Sequence, residues 1–219
     1  MESIRGWKKV KLLFESWRQY LNEAQGETVV AILGPTAAGK STVRDVFVEN
    51  GWKKVASFTT RSPREGTGEE KLGEYKFTDE ENFDKMLSNK ELMNVNIYKG
   101  QQYGVDKEQI QSHVPYQVLI TDRTSIDSLR REVKELAKNI VFIYVTNPDK
   151  QLLALRQKER FEQGQISEQE YKERLEELKK EIEAEPNVIQ NVEHIIEEST
   201  KEETQERARE LALELKRLA

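Results

Sequence analysis

The segment Gly34-Pro35-Thr36-Ala37-Ala38-Gly39-Lys40-Ser41-Thr42 constrains this chain more than any other. It fits the phosphate-binding pattern G-x-x-x-x-G-K-[ST], and its flanks are those the pattern requires. Ahead of it, Thr28-Val29-Val30-Ala31-Ile32-Leu33 is a continuous apolar run rich in β-branched residues, as expected of a parallel strand buried on both faces. Behind it, Val43, Val46 and Phe47 recur at helical spacing, so the loop opens a helix. Glycines let backbone N–H groups close around phosphate oxygens, and the helix N-terminus adds favourable partial charge. In such a loop Lys40 reaches the β- and γ-phosphates and the Ser41 hydroxyl ligates Mg²⁺. The segment implies a nucleoside triphosphate site with Mg²⁺ as its expected metal.

Composition narrows the rest. The chain has 219 residues, enough for one α/β domain with inserted lobes. It has no cysteine, which excludes disulfides and thiolate metal sites, and only two histidines, His113 and His194. No apolar run approaches membrane-spanning length and no signal-peptide core opens the chain, so a cytoplasmic location is expected. A net charge of −5 does not favour nucleic-acid binding. Anionic ligands must be gripped by local arginines and lysines.

Residues 1–26 are read as an extension, where Val10, Leu13, Phe14, Trp17 and Leu21 mark an amphipathic helix. Its basic residues Arg5, Lys8, Lys9 and Lys11 permit docking on a membrane surface or a partner, the other reading being a helix packed on its own core with that basic face in solvent. The main domain is expected over 27–219. Within it Lys54–Phe58, Leu92–Tyr98, Gln117–Thr121 and Ile140–Val145 read as strands, with helices over Asp79–Leu87, Lys107–His113 and Ser125–Ala137. Strands alternating with helices imply right-handed crossovers and a parallel sheet. Residues 149–184 are helix-forming and highly charged, broken at Gln163-Gly164-Gln165, and Glu203–Leu218 is a last amphipathic helix. Apolar positions in Glu168–Glu185 are too sparse for a coiled coil.

A second constellation follows the loop. Ser57-Phe58-Thr59-Thr60-Arg61-Ser62-Pro63-Arg64 precedes Gly73-Glu74-Tyr75-Lys76-Phe77 and then Tyr103-Gly104. Arg61 and Arg64 on a proline-containing turn, joined by tyrosine hydroxyls, suit a dianionic phosphate, because guanidinium forks match phosphate oxygens bidentately. Taken alone, Arg-x-x-Arg is better explained by a solvated loop.

The succession of phosphate loop, S-x-T-T-R-x-P-R, G-[DE]-Y-x-F and Y-G resembles the guanylate kinases and, more broadly, the guanylate-kinase-like fold. The resemblance runs from about Thr28 to the C-terminal helix. It implies a three-layer α/β P-loop nucleoside monophosphate kinase fold with a parallel core sheet, an acceptor-binding lobe over about 57–105 and a helical lid over about 150–178. It further implies that Ser57, Arg61, Arg64, Tyr75 and Tyr103 hold the phosphate of a nucleoside monophosphate. Arg156, Arg160 and Arg174 would be lid arginines that close on the transferred group, the other reading being ordinary helix-surface charge. Asp122 would match one carboxylate of the family's D-x-D element, contacting the base or supporting Mg²⁺, unless it caps the following helix. Phosphoryl transfer needs positioning and charge neutralisation more than covalent chemistry, so no histidine or cysteine nucleophile is required.

Two positions depart from the pattern. Asn94 stands where the family has a glutamate that accepts from guanine N1–H and the 2-amino group. Val105 stands where Ser or Thr usually follows Y-G. A carboxamide offers one accepting and one donating face, where a carboxylate only accepts. The D-x-D element also lacks one carboxylate near Ile120–Asp122. The expected activity is ATP-dependent phosphorylation of a nucleoside monophosphate, GMP or dGMP by resemblance. A kinase for another phosphorylated acceptor such as a ribose bisphosphate, or a noncatalytic binding module of the same fold, are the competing readings. Scaffold modules typically degrade the loop that is intact here.

Overall fold

The structure, a computed structural model, describes residues 27–63, 73 and 75–218. The extension expected over 1–26, and with it the docking helix, lies outside the described residues, as does Arg64.

Strand β1 (Thr28–Leu33) is buried along its whole length and leads through the phosphate loop into α1 (Lys40–Glu49). Its two faces explain its continuous apolarity. Val30 and Ile32 pack with Val43, Val46 and Phe47 of α1, while Val29, Ala31 and Leu33 face the opposite layer. The short β2 (Lys53–Lys54) follows, then β3 (Ser57–Thr59) and β4 (Tyr75–Phe77). Next come α2 (Glu80–Ser88), capped by Asp79, then β5 (Leu92–Tyr98), β6 (Gln101–Asp106) and α3 (Lys107–Gln111). Strand β7 (Tyr116–Ile120), a 3₁₀ turn at Arg123–Ser125, α4 (Ile126–Glu135) and β8 (Asn139–Thr146) continue the core. The chain ends with α5 (Lys150–Glu162), α6 (Glu168–Val188), β9 (His194–Glu197) and α7 (Lys201–Leu218).

Two sheets form. The core sheet has the order β2-β7-β1-β8-β9, all parallel. Helices α1 and α7 cover one face, where Ala208, Leu211, Ala212 and Leu215 meet Val43 and Phe47. Helix α4 covers the other with Ile126, Leu129 and Val133 against Phe142 and Tyr144. The second sheet has the order β4-β3-β6-β5; β3 and β4 run parallel and the other pairs antiparallel. Strands β5 and β6 turn on Lys99 and Gly100, both at positive φ (52° and 75°), the backbone a two-residue type I′ hairpin demands.

The structure differs from the sequence reading at Lys54–Phe58. One strand was expected there, but the chain divides at Val55-Ala56: β2 pairs with β7 in the core sheet and β3 joins the second sheet. Val55 and Ala56 are buried at the crossing, and the Val55 N–H still donates to Val118 O at 2.9 Å. The run Lys54-Val55-Ala56-Ser57-Phe58 contains no glycine or proline to mark a change of sheet.

Candidate active-site cleft

One cleft of about 740 Å³ lies between the phosphate loop, the second sheet and α6. The loop is shaped by its glycines. At Gly34 φ is +142°, and a Cβ there would sit 2.0 Å from the carbonyl oxygen of Val145 on β8. Only glycine permits that approach. Gly39, at φ +100°, forms the N-cap of α1 and brings no side chain to cap it. The Lys40 ammonium folds back to donate to Gly34 O at 2.7 Å and Pro35 O at 2.9 Å. Ser41 is exposed on the first turn of α1, beside Thr42, and neither lines the cleft. Pro35 and Ala38 are buried in the loop's frame.

Helices α5 and α6 are tied to this loop. Arg156 donates to Ala37 O at 3.0 Å, and the wholly buried Gln157 donates to Thr36 Oγ1 at 3.1 Å. The Thr36 N–H donates to the Glu181 carboxylate on α6 at 2.8 Å. Burial pushes the Glu181 pKa above the ordinary carboxylate range, against the opposing pull of that N–H and of Lys40.

The second sheet brings the sequence-distant Ser57, Arg61, Tyr75 and Tyr103 to one wall. The register does this: Ser57 lies opposite Tyr75 on one side and Val105 on the other, and Thr59 opposite Tyr103. The Arg61 guanidinium sits over the rings of Tyr75 and Phe77, 5.3 and 5.5 Å from their centroids. Tyr75 and Tyr103 meet edge-to-face at 6.1 Å. Asn94 lines the same cleft, buried, at φ +49°, beside a bulge between Met93 and Asn96. Asp122 also lines it, and its hydrogen bonds are those of a cap. One oxygen accepts from the Thr124 N–H at 2.7 Å and from the Thr124 hydroxyl, the other from Asn96 Nδ2 at 2.8 Å and Ser125 Oγ at 3.0 Å.

Arg174 lines the cleft and donates to Glu170, one turn earlier on α6. Arg156 lies against the loop outside the cleft, and Arg160 is exposed on α5, also outside it. Of the expected lid arginines, therefore, one faces the cleft. Sequence reasoning missed a row of carboxylates. Glu173, Glu177 and Glu181 recur along α6 and face the cleft, where Glu173 pairs with Lys99 of the hairpin at 2.7 Å and Glu177 with Arg123 at 3.3 Å. Tyr98 faces them, and burial, reinforced by Glu177 and Glu181, pushes its hydroxyl to about 12. The i, i+4, i+8 spacing was visible, but acidic residues carry no signal for an anion-binding cleft.

A parallel sheet entered through a phosphate loop, a second sheet carrying an arginine–tyrosine wall and two helices folded over both define a P-loop nucleoside monophosphate kinase fold. The sequence model of the family described as guanylate kinase matches residues 26–214. The chain belongs to the guanylate kinase family. It is 34% identical over 134 residues to a guanylate kinase of Lactobacillus acidophilus, spanning 58% of this chain and 63% of that one. It is 29% identical over 135 residues to one from Onion yellows phytoplasma, spanning 60% and 63%. The matched stretches thus cover about three-fifths of these curated relatives' length. Among solved structures, a guanylate kinase from Anaplasma phagocytophilum shares the fold with a TM-score of 0.64 at 23% identity, over 86% of each chain.

Proposed function

We propose that this chain transfers the γ-phosphoryl group of ATP to a nucleoside monophosphate, with GMP or dGMP as the default acceptor. The observation that carries this reading is that one cleft is lined at once by Gly34 and Lys40 of the phosphate loop, by Ser57, Arg61, Tyr75 and Tyr103 of the second sheet, and by Arg174 of α6. Two phosphate-bearing ligands placed at those two ends face each other, which is the arrangement a direct transfer needs.

Residues 57–105 then form the acceptor-binding lobe and residues 150–178 the lid of a domain over 27–219. The loop fits a triphosphate on its own geometry. Gly34 brings the backbone against β8, α1 opens with no side-chain cap, and the Thr36 N–H already holds an anionic oxygen, that of Glu181. Lys40 neutralises the phosphate charge once its ammonium leaves the carbonyls of Gly34 and Pro35. Arg61, with Arg64, holds the acceptor phosphate, while Ser57, Tyr75 and Tyr103 fix its oxygens. Arg174 neutralises charge on the transferred group. Ser41 is the expected Mg²⁺ ligand, one hydroxyl sufficing because Mg²⁺ keeps waters and substrate phosphates as its other ligands. When bound, that ion would supply charge neutralisation across the donor phosphates. A phosphate acceptor is already ionised, so no general base is assigned. Arg156 is assigned to the loop rather than to the transferred group, because it donates to Ala37 O and does not line the cleft.

The test is ADP formation from Mg·ATP across a panel of ribo- and deoxynucleoside monophosphates and ribose 1,5-bisphosphate, with Lys40→Ala as the blank. Turnover with GMP or dGMP supports the reading. Turnover only with the bisphosphate replaces the acceptor, and silence across the panel leaves a binding module.

A further inference from the structure

Asn94 is held by two residues one turn apart on α4. Its backbone N–H donates to Glu132 Oε2 at 2.7 Å, and its side-chain Oδ1 accepts from Ser128 Oγ at 2.7 Å. Both contacts come from the same helix face, since residues four apart on a helix point the same way. The backbone at Asn94 is left-handed, a conformation asparagine tolerates better than most residues. The side chain is 7% exposed and lines the cleft, so little freedom remains to it.

The Ser128 hydroxyl has one proton and two acceptors in reach, Asn94 Oδ1 at 2.7 Å and Ser125 O at 3.1 Å. The shorter contact takes the proton. One lone pair of the carboxamide oxygen is therefore engaged by α4, and the group turned away from that helix is the NH₂, which only donates. A hydroxyl can accept as well as donate, but at 2.7 Å the contact has the length of an O–H···O bond, shorter than the roughly 2.9–3.0 Å usual for N–H···O, so the hydroxyl favours the orientation with the carboxamide oxygen toward α4.

We propose that Ser128 is a positioning residue that locks the Asn94 carboxamide with its donor face toward the acceptor base, so that the cleft reads a carbonyl oxygen or unprotonated ring nitrogen there and gains nothing from an exocyclic amino group. The inference rests on the nucleoside monophosphate kinase reading. Guanine and hypoxanthine differ only in the 2-amino group, itself a donor. Opposite a second donor that group finds no partner.

The experiment compares kcat/KM for GMP and IMP at saturating Mg·ATP in the full chain, Ser128→Ala and Ser128→Thr. In the unaltered chain the two acceptors are expected within about threefold, where a paired amino group gives about tenfold or more. Ser128→Ala frees the carboxamide to turn its oxygen to the base, so the GMP/IMP ratio rises by about tenfold. Ser128→Thr keeps the hydroxyl and the original ratio. The KM for ATP stays unchanged in both variants, which a general loss of structure would not allow. A GMP preference above about tenfold in the unaltered chain, or a ratio that Ser128→Ala leaves alone, overturns the proposal while the kinase reading stands. Absence of turnover with every acceptor overturns both.

Discussion

The two glycines of the phosphate loop are required for different reasons, and the difference is measurable. At Gly34 a methyl group would stand 2.0 Å from Val145 O, 3.0 Å from Val145 C and 3.2 Å from Val145 N, all backbone atoms of a core strand. No side-chain rotation relieves such a clash; β1, β8 or the loop must move. At Gly39 a Cβ would meet nothing within 4 Å, so only its φ of +100° opposes a side chain. Left-handed strain alone costs about 1–2 kcal/mol. Forcing a well-packed backbone apart adds about 1–3 kcal/mol. Gly34→Ala should therefore destabilise the fold by about 2–5 kcal/mol and Gly39→Ala by about 1–2 kcal/mol. Urea unfolding followed by circular dichroism reads both as shifts in midpoint at constant slope. Equal costs at the two positions, or a Gly34→Ala cost below about 1 kcal/mol, would refute the close approach to β8.

Three further outcomes are expected. Glu181→Gln keeps a hydrogen-bond acceptor for the Thr36 N–H but removes a negative charge beside the phosphate loop, so Mg·ATP should bind about tenfold tighter by titration calorimetry at neutral pH. Burial raises the Glu181 pKa, so the ionised form is the disfavoured one in the folded chain. The advantage of the variant should therefore shrink as pH falls toward that raised pKa; weaker binding by Glu181→Gln would contradict the assignment. Glu27 shows the opposite sign: burial pushes its pKa up, but the Lys138 ammonium at 2.6 Å outweighs it and holds the carboxyl below its ordinary 4.5. A depressed carboxylate pKa contributes stability above the unfolded value that is lost as pH falls through the folded one. Glu27→Gln should thus cost about 1–3 kcal/mol at pH 7, less than a fully orphaned buried charge because Lys138 keeps Ser112 O, and the cost should vanish in acid unfolding curves at low pH. Lys99→Ala breaks the half-exposed pair with Glu173 and should change stability by less than about 1 kcal/mol, a value urea unfolding resolves.

The core sheet was legible because its strands are buried on both faces, and Thr28–Leu33, Gln117–Thr121 and Ile140–Val145 are apolar without alternation. The phosphate loop was legible because its backbone needs glycine at fixed spacing. What escaped was short or long-range. Tyr75–Phe77 and His194–Glu197 are strands of three and four residues whose pairing partners are distant in sequence. No local periodicity develops over that length. Lys99-Gly100 did carry a hairpin signal, a glycine between two alternating runs, and it closes β6 onto β5. For Asp122 the sequence left base contact, Mg²⁺ support and capping open. Both its oxygens are engaged with Thr124, Ser125 and Asn96, the geometry of a cap. Asn94 was visible as a departure, but its clamp was not: Ser128 and Glu132 are unremarkable polar residues on a helix until the fold sets them against β5.

The carboxylate row on α6 bears on how the cleft takes two anions in a chain of net charge −5. Among the described residues the lining holds six basic side chains against five carboxylates, a near balance that gives no strong field. Long-range steering is then weak, and affinity must come from exchanging partners at short range. Arg123, Lys99 and the Thr36 N–H each hold a glutamate oxygen where a phosphate oxygen could compete. A stray anion that replaces one such contact gains little, since one charge-assisted bond is traded for another. A ligand that engages the loop, the arginine–tyrosine wall and Arg174 together displaces several at once and also places its phosphates in line. The acidic row thereby makes occupancy depend on geometry more than on charge.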